Sequence, residues 1–312
     1  MGINYHAMGL LMLAERLGAS FDRVCLIGRQ EMHLAPAVLA RVLAAAGRPP
    51  LTKAEEAGVL ADGFAEGFLR GVMGSRVVDS YDVSSYQGAS HIHDLNHPLG
   101  QHETYSLVFD GGTLEHCFAV PDAFSNAISL CATGGHIVHI LPTNNFSGHG
   151  FYQFSPELFF SLYSRVRGFD LKAVYLAVEG EPRFWWAVRP PLEKHGRIEV
   201  CSALETHILV IAAKGPGAVS PRDSPPQQSD YEAGQWRPAA AIAGGEYRLR
   251  SRPVRDRLFL SGALKYPRLA RRVVRALRRG LAGDRDFRRV RVGDLLAGRI
   301  RVNPFTDAVA RS

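Results

Sequence analysis

Three aspartates each follow a short apolar run that has the composition of a β-strand. Asp82 ends one run in SYDVSS, Asp94 follows the run in HIHDLN, and Asp110 ends the run YSLVFD. Because parallel strands bring their carboxyl ends to one edge of a sheet, we expect the three carboxylates at a single ligand site. One aspartate at a strand end more often caps a turn, but three in succession favour a ligand rich in hydrogen-bond donors.

An adenosine-containing cofactor would match this order of carboxylates. Asp82 is suited to accept from both ribose hydroxyls, because a carboxylate presents two oxygens to two adjacent donors, and Asp94 can accept from the exocyclic amine of adenine. Asp110 with Gly111 and Gly112 would then border the reacting group, since glycine allows close backbone approach to a ligand.

Further candidates follow the predicted fifth strand, in NNFSGHGFYQF. His149 stands between two glycines, and it is either the base for a hydroxyl acceptor or a residue that bonds to the backbone of its own loop. Tyr152 is the second catalytic candidate, and with Phe151 it could form a wall for the acceptor, with Gln153 also lining that site.

The run GGTLEH after the fourth strand contributes two more polar candidates. Glu115 and His116 either line the acceptor site or fix the loop in which they lie. Neither interpretation requires a metal ion, and we predict none.

The first strand, in VCLIGRQEMHL, ends on one glycine where a nucleotide-binding loop normally has two or three. Gly28 is followed by Arg29 and Gln30. The stretch alone indicates a buried strand followed by a turn.

Taken in order, the segments YDVSS, HDLNHPL, YSLVFDGGTLEHCF, ATGGHIVHILPTNN and SPELFFSLYSRVRGFDL resemble class I S-adenosylmethionine-dependent methyltransferases over about residues 20–214. In particular, the chain resembles little-characterised bacterial methyltransferase-like proteins with GRQ after the first strand and GHGFYQFSPELFF after the fifth. The resemblance implies a Rossmann-like α/β fold, in which a seven-stranded, mostly parallel sheet with a reversed final hairpin carries helices on both faces. It also implies S-adenosylmethionine as the cofactor.

The resemblance assigns cofactor roles residue by residue. Gly28 matches the turn after the first strand, Asp82 the ribose ligand, and Asp94 with Leu95 the adenine contacts. The chain departs from the family at Arg29 and Gln30, where an acidic residue and further glycines are usual. Arg29 could pair with the cofactor's carboxylate or fill its pocket.

The resemblance therefore predicts a methyltransferase that acts on a small molecule or saccharide, with oxygen favoured over nitrogen as the methyl acceptor. A non-catalytic scaffold or partner protein with a degenerate cofactor loop is the main alternative. A metal-dependent hydrolase is a lesser one, because HIHDLNH offers His91, His93, Asp94 and His97 at spacings that could bind a metal. A nicotinamide-dependent oxidoreductase would need the same missing glycines.

Alternating helices and strands must position these residues. We predict a helix over 4–17, a strand over 22–28, a helix from Pro36, a capped helical region over 53–73 interrupted near Gly63, and helices over 121–132 and from Pro156. A strand introduced by a double-glycine turn precedes the last of these helices, and DLKAVYLAV and ETHILVIAAK close the sheet as two further strands.

Composition divides the chain into three parts: a catalytic domain over 1–214, a Pro/Ser/Gln-rich flexible linker over 215–245, and a basic, partly helical extension over 246–312. The extension has 19 Lys plus Arg against 6 Asp plus Glu, although the whole chain carries only +7. Its basic helix at 263–281 could dock on the acidic remainder of the chain or make peripheral contact with anionic lipid, whereas nucleic acid is disfavoured.

Cysteine usage and the amino terminus favour a cytoplasmic protein. The four cysteines are widely spaced, and three lie in apolar runs, which is typical of reduced core thiols. The apolar run near the amino terminus is short and lacks a preceding basic residue, so we expect neither a signal peptide nor a membrane span.

Overall fold

The computed structural model of the protein describes residues 2–100, 103–191, 198, 200, 202–228 and 287–305. Its strands are β1 (Gly2–Ile3), β2 (Arg23–Ile27), β3 (Glu31–Met32), β4 (Val77–Asp82), β5 (His91–Ile92), β6 (Tyr105–Asp110), β7 (Cys131–Asn144), β8 (Phe169–Val178), β9 (Phe184–Val188), β10 (Thr206–Lys214) and β11 (Phe287–Arg291). Its α-helices are α1 (Tyr5–Arg16), α2 (Pro36–Ala45), α3 (Lys53–Leu60), α4 (Ala65–Gly71), α5 (Val120–Leu130), α6 (Pro156–Leu162) and α7 (Val292–Leu296).

The main sheet has the strand order β11-β9-β8-β10-β7-β6-β2-β4-β5. The strands β5, β4, β2, β6 and β7 run parallel to one another, whereas β10 runs antiparallel to both of its neighbours, β7 and β8. The chain moves outward from β2 to β4 and β5 and then returns to the other side of β2 as β6. The loops after β2 and β6 therefore diverge, which creates a topological switch point between these two strands.

Apolar side chains of the central strands alternate between two cores, one on each face of the sheet. On β2, Leu26 packs in the core with α1, α2 and α4, whereas Ile27 packs in the core with α5 and α6. Burial on both faces explains why this strand is a continuous apolar run rather than an alternating one. The predicted Rossmann-like α/β fold, with helices on both faces and a reversed strand near the end, is confirmed.

Most predicted helix and strand boundaries agree with the structure to within a few residues. The region over 53–73 forms α3 and α4, separated at Gly63, which has a φ of 72°. Thr52 and Glu55 form the capping box that the T-x-x-E pattern indicates. The strand β7 begins at Cys131, earlier than expected, because the residues before the double glycine already pair with Tyr105 of β6.

The main sheet has nine strands among the described residues rather than the predicted seven. The additional strands β9 and β11 pair antiparallel beyond β8. The run that forms β9 is short, and the two prolines that follow it are typical of a loop. The edge strand β11 carries three arginines, and exposed charges on an edge strand discourage pairing with other chains.

The segment that composition assigns to a flexible linker packs on the domain over its first residues, 215–228. The Val219 N–H donates to the carbonyl of Arg167 at 3.0 Å, and the Arg222 guanidinium lies 3.3 Å from the Asp122 carboxylate. Residues 215–228 thus contact the domain, and 229–245 lie outside the described residues, so the flexible linker stays a prediction.

Part of the predicted C-terminal extension also belongs to the domain. Besides supplying β11, it forms α7, whose Leu295 carbonyl accepts a hydrogen bond from Arg16 of α1. The sheet is consequently not confined to residues 1–214. The predicted basic helix over 263–281 lies outside the described residues.

Two further expectations concern the cysteines and membrane spans. Cys25, Cys117 and Cys131 are buried free thiols, as predicted, and Cys201 lies outside the described residues. No helix in the described part of the chain is both long and apolar enough to span a bilayer.

Candidate functional site

Two side chains fill the floor of the crevice at the switch point between β2 and β6. The buried Gln30 amide donates from Nε2 to the carbonyl oxygens of Ile27 and Gly28, at 2.8 and 3.1 Å. Thr113, from the loop after β6, donates its hydroxyl to the Ile27 carbonyl at 2.7 Å. The carboxyl end of β2 is thus closed by side chains of its own loop and of the neighbouring loop.

Glycines allow this close packing at the crevice floor. Gly28 has a φ of 71°, and a Cβ atom there would lie 2.4 Å from the Thr113 hydroxyl oxygen. A Cβ on Gly111 would lie 2.2 Å from Oε1 of Gln30. That Oε1 atom is buried and has no hydrogen-bond partner in the described structure.

The loop after β2 continues as a strand and does not enter a helix at once. Its strand β3 pairs in parallel with β1, and the Gln30 carbonyl accepts from the Ala65 N–H of α4 at 2.9 Å. The next helix, α2, begins only at Pro36. No helix N-terminus in the described structure therefore directly follows β2, where a nucleotide-binding fold normally offers one to a ligand.

Arg29 is engaged by protein groups on three sides. Its Nε atom donates to Glu66 at 2.7 Å, and its guanidinium lies 3.8 Å from the ring centre of Phe64 and also bonds to the carbonyl of Gln87. Its side chain ties the loop after β2 to the start of α4 and to the loop after β4. Because Glu66 already balances its charge, Arg29 is not a free partner for a ligand carboxylate.

Asp82 lies at the carboxyl end of β4, half-buried, beside the switch point. One carboxylate oxygen accepts from the Ser84 N–H at 3.1 Å, and no donor to its second oxygen occurs in the part of the chain that the structure describes. This leaves one carboxylate oxygen with capacity for an outside donor.

Asp94 and Leu95 follow β5, the neighbouring strand. The Oδ1 atom of Asp94 accepts from both the backbone and the side-chain nitrogen of Asn96, at 2.9 and 2.7 Å. These bonds hold the pKa of Asp94 below its usual value, because they favour the ionised form. The Leu95 side chain is in the core, so only its backbone could contact a ligand.

Asp110 has a structural role that the sequence did not indicate. Its side chain is fully buried and accepts from the N–H groups of Gly112 and Thr113, at 3.3 and 2.9 Å. Its Oδ2 atom lies 2.9 Å from Nδ1 of His139, whose Nε2 lies 2.6 Å from the hydroxyl of Tyr163. The predicted direct contact of the Asp110 side chain with a cofactor is therefore not supported, because its oxygens face the core and the 112–113 turn.

Glu115, His116 and His149 come together, although they lie in separate loops after β6 and β7. The Glu115 Oε1 atom lies 3.3 Å from Nε2 of His149 and 3.8 Å from Nε2 of His116, and the two imidazole ring centres are 4.8 Å apart. Glu115 is fully buried, whereas about half of the His116 side chain and a third of the His149 side chain are exposed.

Burial shifts the pKa values of all three groups toward their neutral forms. Burial, together with the nearby Asp110 carboxylate, raises the pKa of Glu115 to about 8. Burial also lowers the pKa of both His116 and His149. The two imidazoles are thereby kept unprotonated near neutral pH, which suits proton acceptance or metal binding.

The three residues beside this cluster differ in exposure and hydrogen bonding: Phe151, Tyr152 and Gln153. The ring of Phe151 packs edge-on against Phe118 at 5.9 Å, and both rings are largely exposed. The Tyr152 hydroxyl donates to the Phe118 carbonyl at 2.8 Å, and Gln153 accepts from the backbone of Phe146. The two exposed rings can line an acceptor, whereas the Tyr152 hydroxyl and the Gln153 side-chain oxygen are hydrogen-bonded to backbone groups.

The histidines of HIHDLNH do not converge on a metal site in the described structure. His91 stacks on Tyr81 with ring centres 4.5 Å apart, and Nε2 of His93 lies 3.0 Å from the His97 carbonyl. Among the described residues, potential metal ligands instead come within 4.8 Å of one another at Glu115, His116 and His149.

These elements define an α/β fold, in which the main sheet has a topological switch point between β2 and β6. No protein-family model matches the chain, and no curated protein matches it. Among solved structures, the chain is similar to the N-methyltransferase NodS from Bradyrhizobium japonicum WM9, with 15% identity, 66% of this chain and 92% of that chain covered, and a TM-score of 0.36.

Two further solved structures show the same level of similarity. The [4+2]-cyclase SpnF has 13% identity, 67% and 82% coverage of the two chains and a TM-score of 0.36. An S-adenosylmethionine-dependent methyltransferase from Clostridium acetobutylicum ATCC 824 has 10% identity, 68% and 93% coverage and a TM-score of 0.30. Similarity at this level carries no information about reaction or substrate.

Proposed function

We propose that the protein is an S-adenosylmethionine-dependent methyltransferase. The observation that carries the proposal is the position of Asp82, a half-buried carboxylate with one unpartnered oxygen among the described residues, at the carboxyl end of β4 beside the switch point. A carboxylate in that position suits the two hydroxyls of a ribose, and the crevice at a switch point is the usual ligand site of such a sheet.

Other residues near the crevice fit the remaining parts of the cofactor. Asp94 and the backbone of Leu95 would contact the adenine, and Oε1 of Gln30, which is buried in the described structure, would accept from the ammonium group of the methionine end once its side chain turns toward the ligand. Arg29 has no place in this set, because Glu66 already holds it.

The reaction asks little covalent chemistry of the protein. The bound cofactor supplies an activated methyl group, so the protein must hold the acceptor in line with that methyl group and accept the acceptor's proton. His149 is the proposed base, because its lowered pKa keeps the imidazole unprotonated at neutral pH. The exposed rings of Phe118 and Phe151 nearby support a small molecule or saccharide as the acceptor, methylated on oxygen.

A non-catalytic binding or scaffold protein is the second candidate function. The observation that favours it is the closed floor of the crevice, where Gln30 and Thr113 fill space between the loops after β2 and β6. A protein that had lost the cofactor would retain the same sheet and the same buried network around Asp110.

Thermal unfolding with and without S-adenosylmethionine separates these two functions. A ligand that binds only the folded state at about 100 times its dissociation constant adds about 2.7 kcal/mol of stability, which raises the melting temperature by several degrees. Methionine at the same concentration serves as the control and should leave the melting temperature unchanged. An unchanged melting temperature at millimolar S-adenosylmethionine would favour the non-catalytic function.

A further inference from the structure

We propose that Glu115, His116 and His149 bind a divalent transition-metal ion. Their ligand atoms, one oxygen and two imidazole nitrogens, lie within 4.8 Å of one another. Metal binding at these residues is independent of the proposed methyltransferase function. The use we assign to the ion, which is to bind the acceptor oxygen, rests on that function.

The spacing of the ligand atoms fits a coordinated ion. Zinc binds imidazole nitrogen at about 2.0 to 2.1 Å, which places two tetrahedral ligands about 3.3 Å from each other. The separations from Glu115 Oε1 are 3.3 Å to His149 Nε2 and 3.8 Å to His116 Nε2. The two imidazole nitrogens also lie within 4.8 Å of each other, so all three ligand atoms can face one ion.

The carboxylate of Glu115 provides a second and independent indication. Its side chain is fully buried, and its Oε2 atom has no hydrogen-bond partner in the described structure. A buried polar atom without a partner destabilises the folded state by about 1 to 3 kcal/mol. A group bound beside Glu115 would remove this cost. A bound cation would supply that group and would also offset the negative charge of the nearby Asp110.

The backbone holds the two loops in a fixed relation. The carbonyl of Glu115 accepts from the N–H groups of Phe151 and Tyr152, at 2.7 and 3.3 Å. Gly150 has a φ of 69°, and a Cβ there would lie only 2.8 Å from the Glu115 carbonyl oxygen. Glycine at 150 therefore lets the loop of His149 approach the turn of Glu115 and His116, and the ligands are positioned before an ion arrives.

The donor set selects the class of ion. Two imidazoles and one carboxylate suit zinc, iron, manganese, cobalt or nickel, whereas calcium and magnesium prefer oxygen ligands only. Both imidazoles are partly exposed, so the ion's remaining positions face solvent near the exposed rings of Phe118 and Phe151. The site thus has the open coordination positions of a catalytic centre and not the closed shell of a structural one.

The ion would change the role of His149 from base to ligand. An acceptor hydroxyl bound to the ion has a lowered pKa and releases its proton to bulk water. The resulting oxygen would form the new bond to the methyl carbon, while the carbon–sulfur bond breaks and its electron pair stays on sulfur. No other group is needed to accept the proton.

Metal titration of the full-length chain tests the inference. The affinity tag is removed, the protein is treated with a chelator and exchanged into chelator-free buffer, and Co²⁺ binding is followed by its visible absorption, with Zn²⁺ binding followed by calorimetry. We expect one equivalent of each ion to bind with a saturable isotherm. The variants His149→Ala and Glu115→Gln should each weaken binding at least tenfold, whereas His33→Ala, which removes an exposed histidine elsewhere, should leave it unchanged.

The outcomes separate this inference from the proposed function. Absence of saturable binding to the wild-type chain overturns it, as does unchanged affinity in His149→Ala, which changes a partly exposed side chain. Calorimetry with S-adenosylhomocysteine on the same samples reports on the cofactor alone. Cofactor binding without metal binding rejects only the metal site, and metal binding without cofactor binding supports the site and rejects methyl transfer as its use.

Discussion

The Nδ1 atom of His139 lies 2.9 Å from Oδ2 of Asp110, in a part of the core where neither side chain is exposed to solvent. The two residues face each other across β6 and β7, where they are paired in register. The same carboxylate holds the N–H groups of Gly112 and Thr113. Asp110 therefore shapes the loop that leads to Glu115 and His116 without itself facing the crevice.

Replacing Asp110 should strongly destabilise the protein. Asp110→Ala leaves His139 and two backbone N–H groups without their acceptor, and each buried donor left without a partner costs about 1 to 3 kcal/mol. Urea unfolding measures the difference. Asp170→Ala, at a half-exposed carboxylate on the opposite edge of the sheet, should change the free energy of unfolding by less than about 0.5 kcal/mol. Equal stability of the two variants would show that the buried network is unimportant.

Gly28→Ala should destabilise the protein more than Gly74→Ala, although the two glycines have the same backbone conformation. Gly28 and Gly74 have φ values of 71° and 74°, but a Cβ meets the Thr113 hydroxyl oxygen at 2.4 Å only at Gly28. Gly74→Ala reports the cost of the left-handed conformation alone, about 1 to 2 kcal/mol. Gly28→Ala should cost at least about 1 kcal/mol more in chemical denaturation, and similar losses in the two variants would contradict the close packing at the crevice floor.

The pair of Arg29 and Glu66 should couple more strongly than a surface pair. Their side chains are 19% and 11% exposed, against 78% and 37% for Arg76 and Asp22. A double-mutant cycle with Arg29→Ala and Glu66→Gln should give a coupling free energy of about 1 to 3 kcal/mol, and the cycle for Arg76 and Asp22 should give less than about 1 kcal/mol. The prediction fails if the two cycles give the same value.

Protonation of His6 should lower the stability of the folded protein in acid. Burial lowers the pKa of His6 to about 4, and its Nδ1 accepts from the indole N–H of Trp185 at 2.9 Å. Stability from the neutral imidazole is complete above the unfolded pKa near 6.5 and is lost as pH falls toward 4, because the unfolded chain binds the proton first.

The loss attributed to His6 is on the order of 3 kcal/mol over that pH interval, and urea unfolding at several pH values measures it. His6→Gln should flatten the pH dependence between 6.5 and 4, even though it lowers stability at neutral pH. His33→Gln, at an exposed histidine, should retain the wild-type pH dependence. An unchanged acid slope in His6→Gln would contradict the assignment.

The central strands and their helices could be predicted because burial on both faces leaves a continuous apolar run, as in β2, and because caps such as Thr52 with Glu55 mark helix starts. The strands β9 and β11 could not be predicted. Each is short, and each forms only by antiparallel pairing at the edge beyond β8, which depends on contacts between distant parts of the chain.

The candidate site could be predicted only in part. The prediction that Asp82 and Asp110 end strands is confirmed, since they are the last residues of β4 and β6, whereas their roles in a ligand site stay predictions. The burial of Asp110 could not be inferred, because it depends on the register that places His139 opposite it. His139, Tyr163 and Thr113 were missed for the same reason, although the two histidines in GGHIVHILPT were a signal that a polar network lies inside the sheet.

The central claim is that the crevice beside Asp82 binds the methyl-donor cofactor, and calorimetry with S-adenosylhomocysteine, the demethylated product, tests it most directly. We predict saturable binding of one equivalent to the wild-type chain and to Asp170→Ala. Binding to Asp82→Ala should be about tenfold to a hundredfold weaker, because hydrogen bonds from the ribose hydroxyls to a carboxylate are lost. No saturable binding at millimolar ligand, or equal affinity in Asp82→Ala, would contradict the claim.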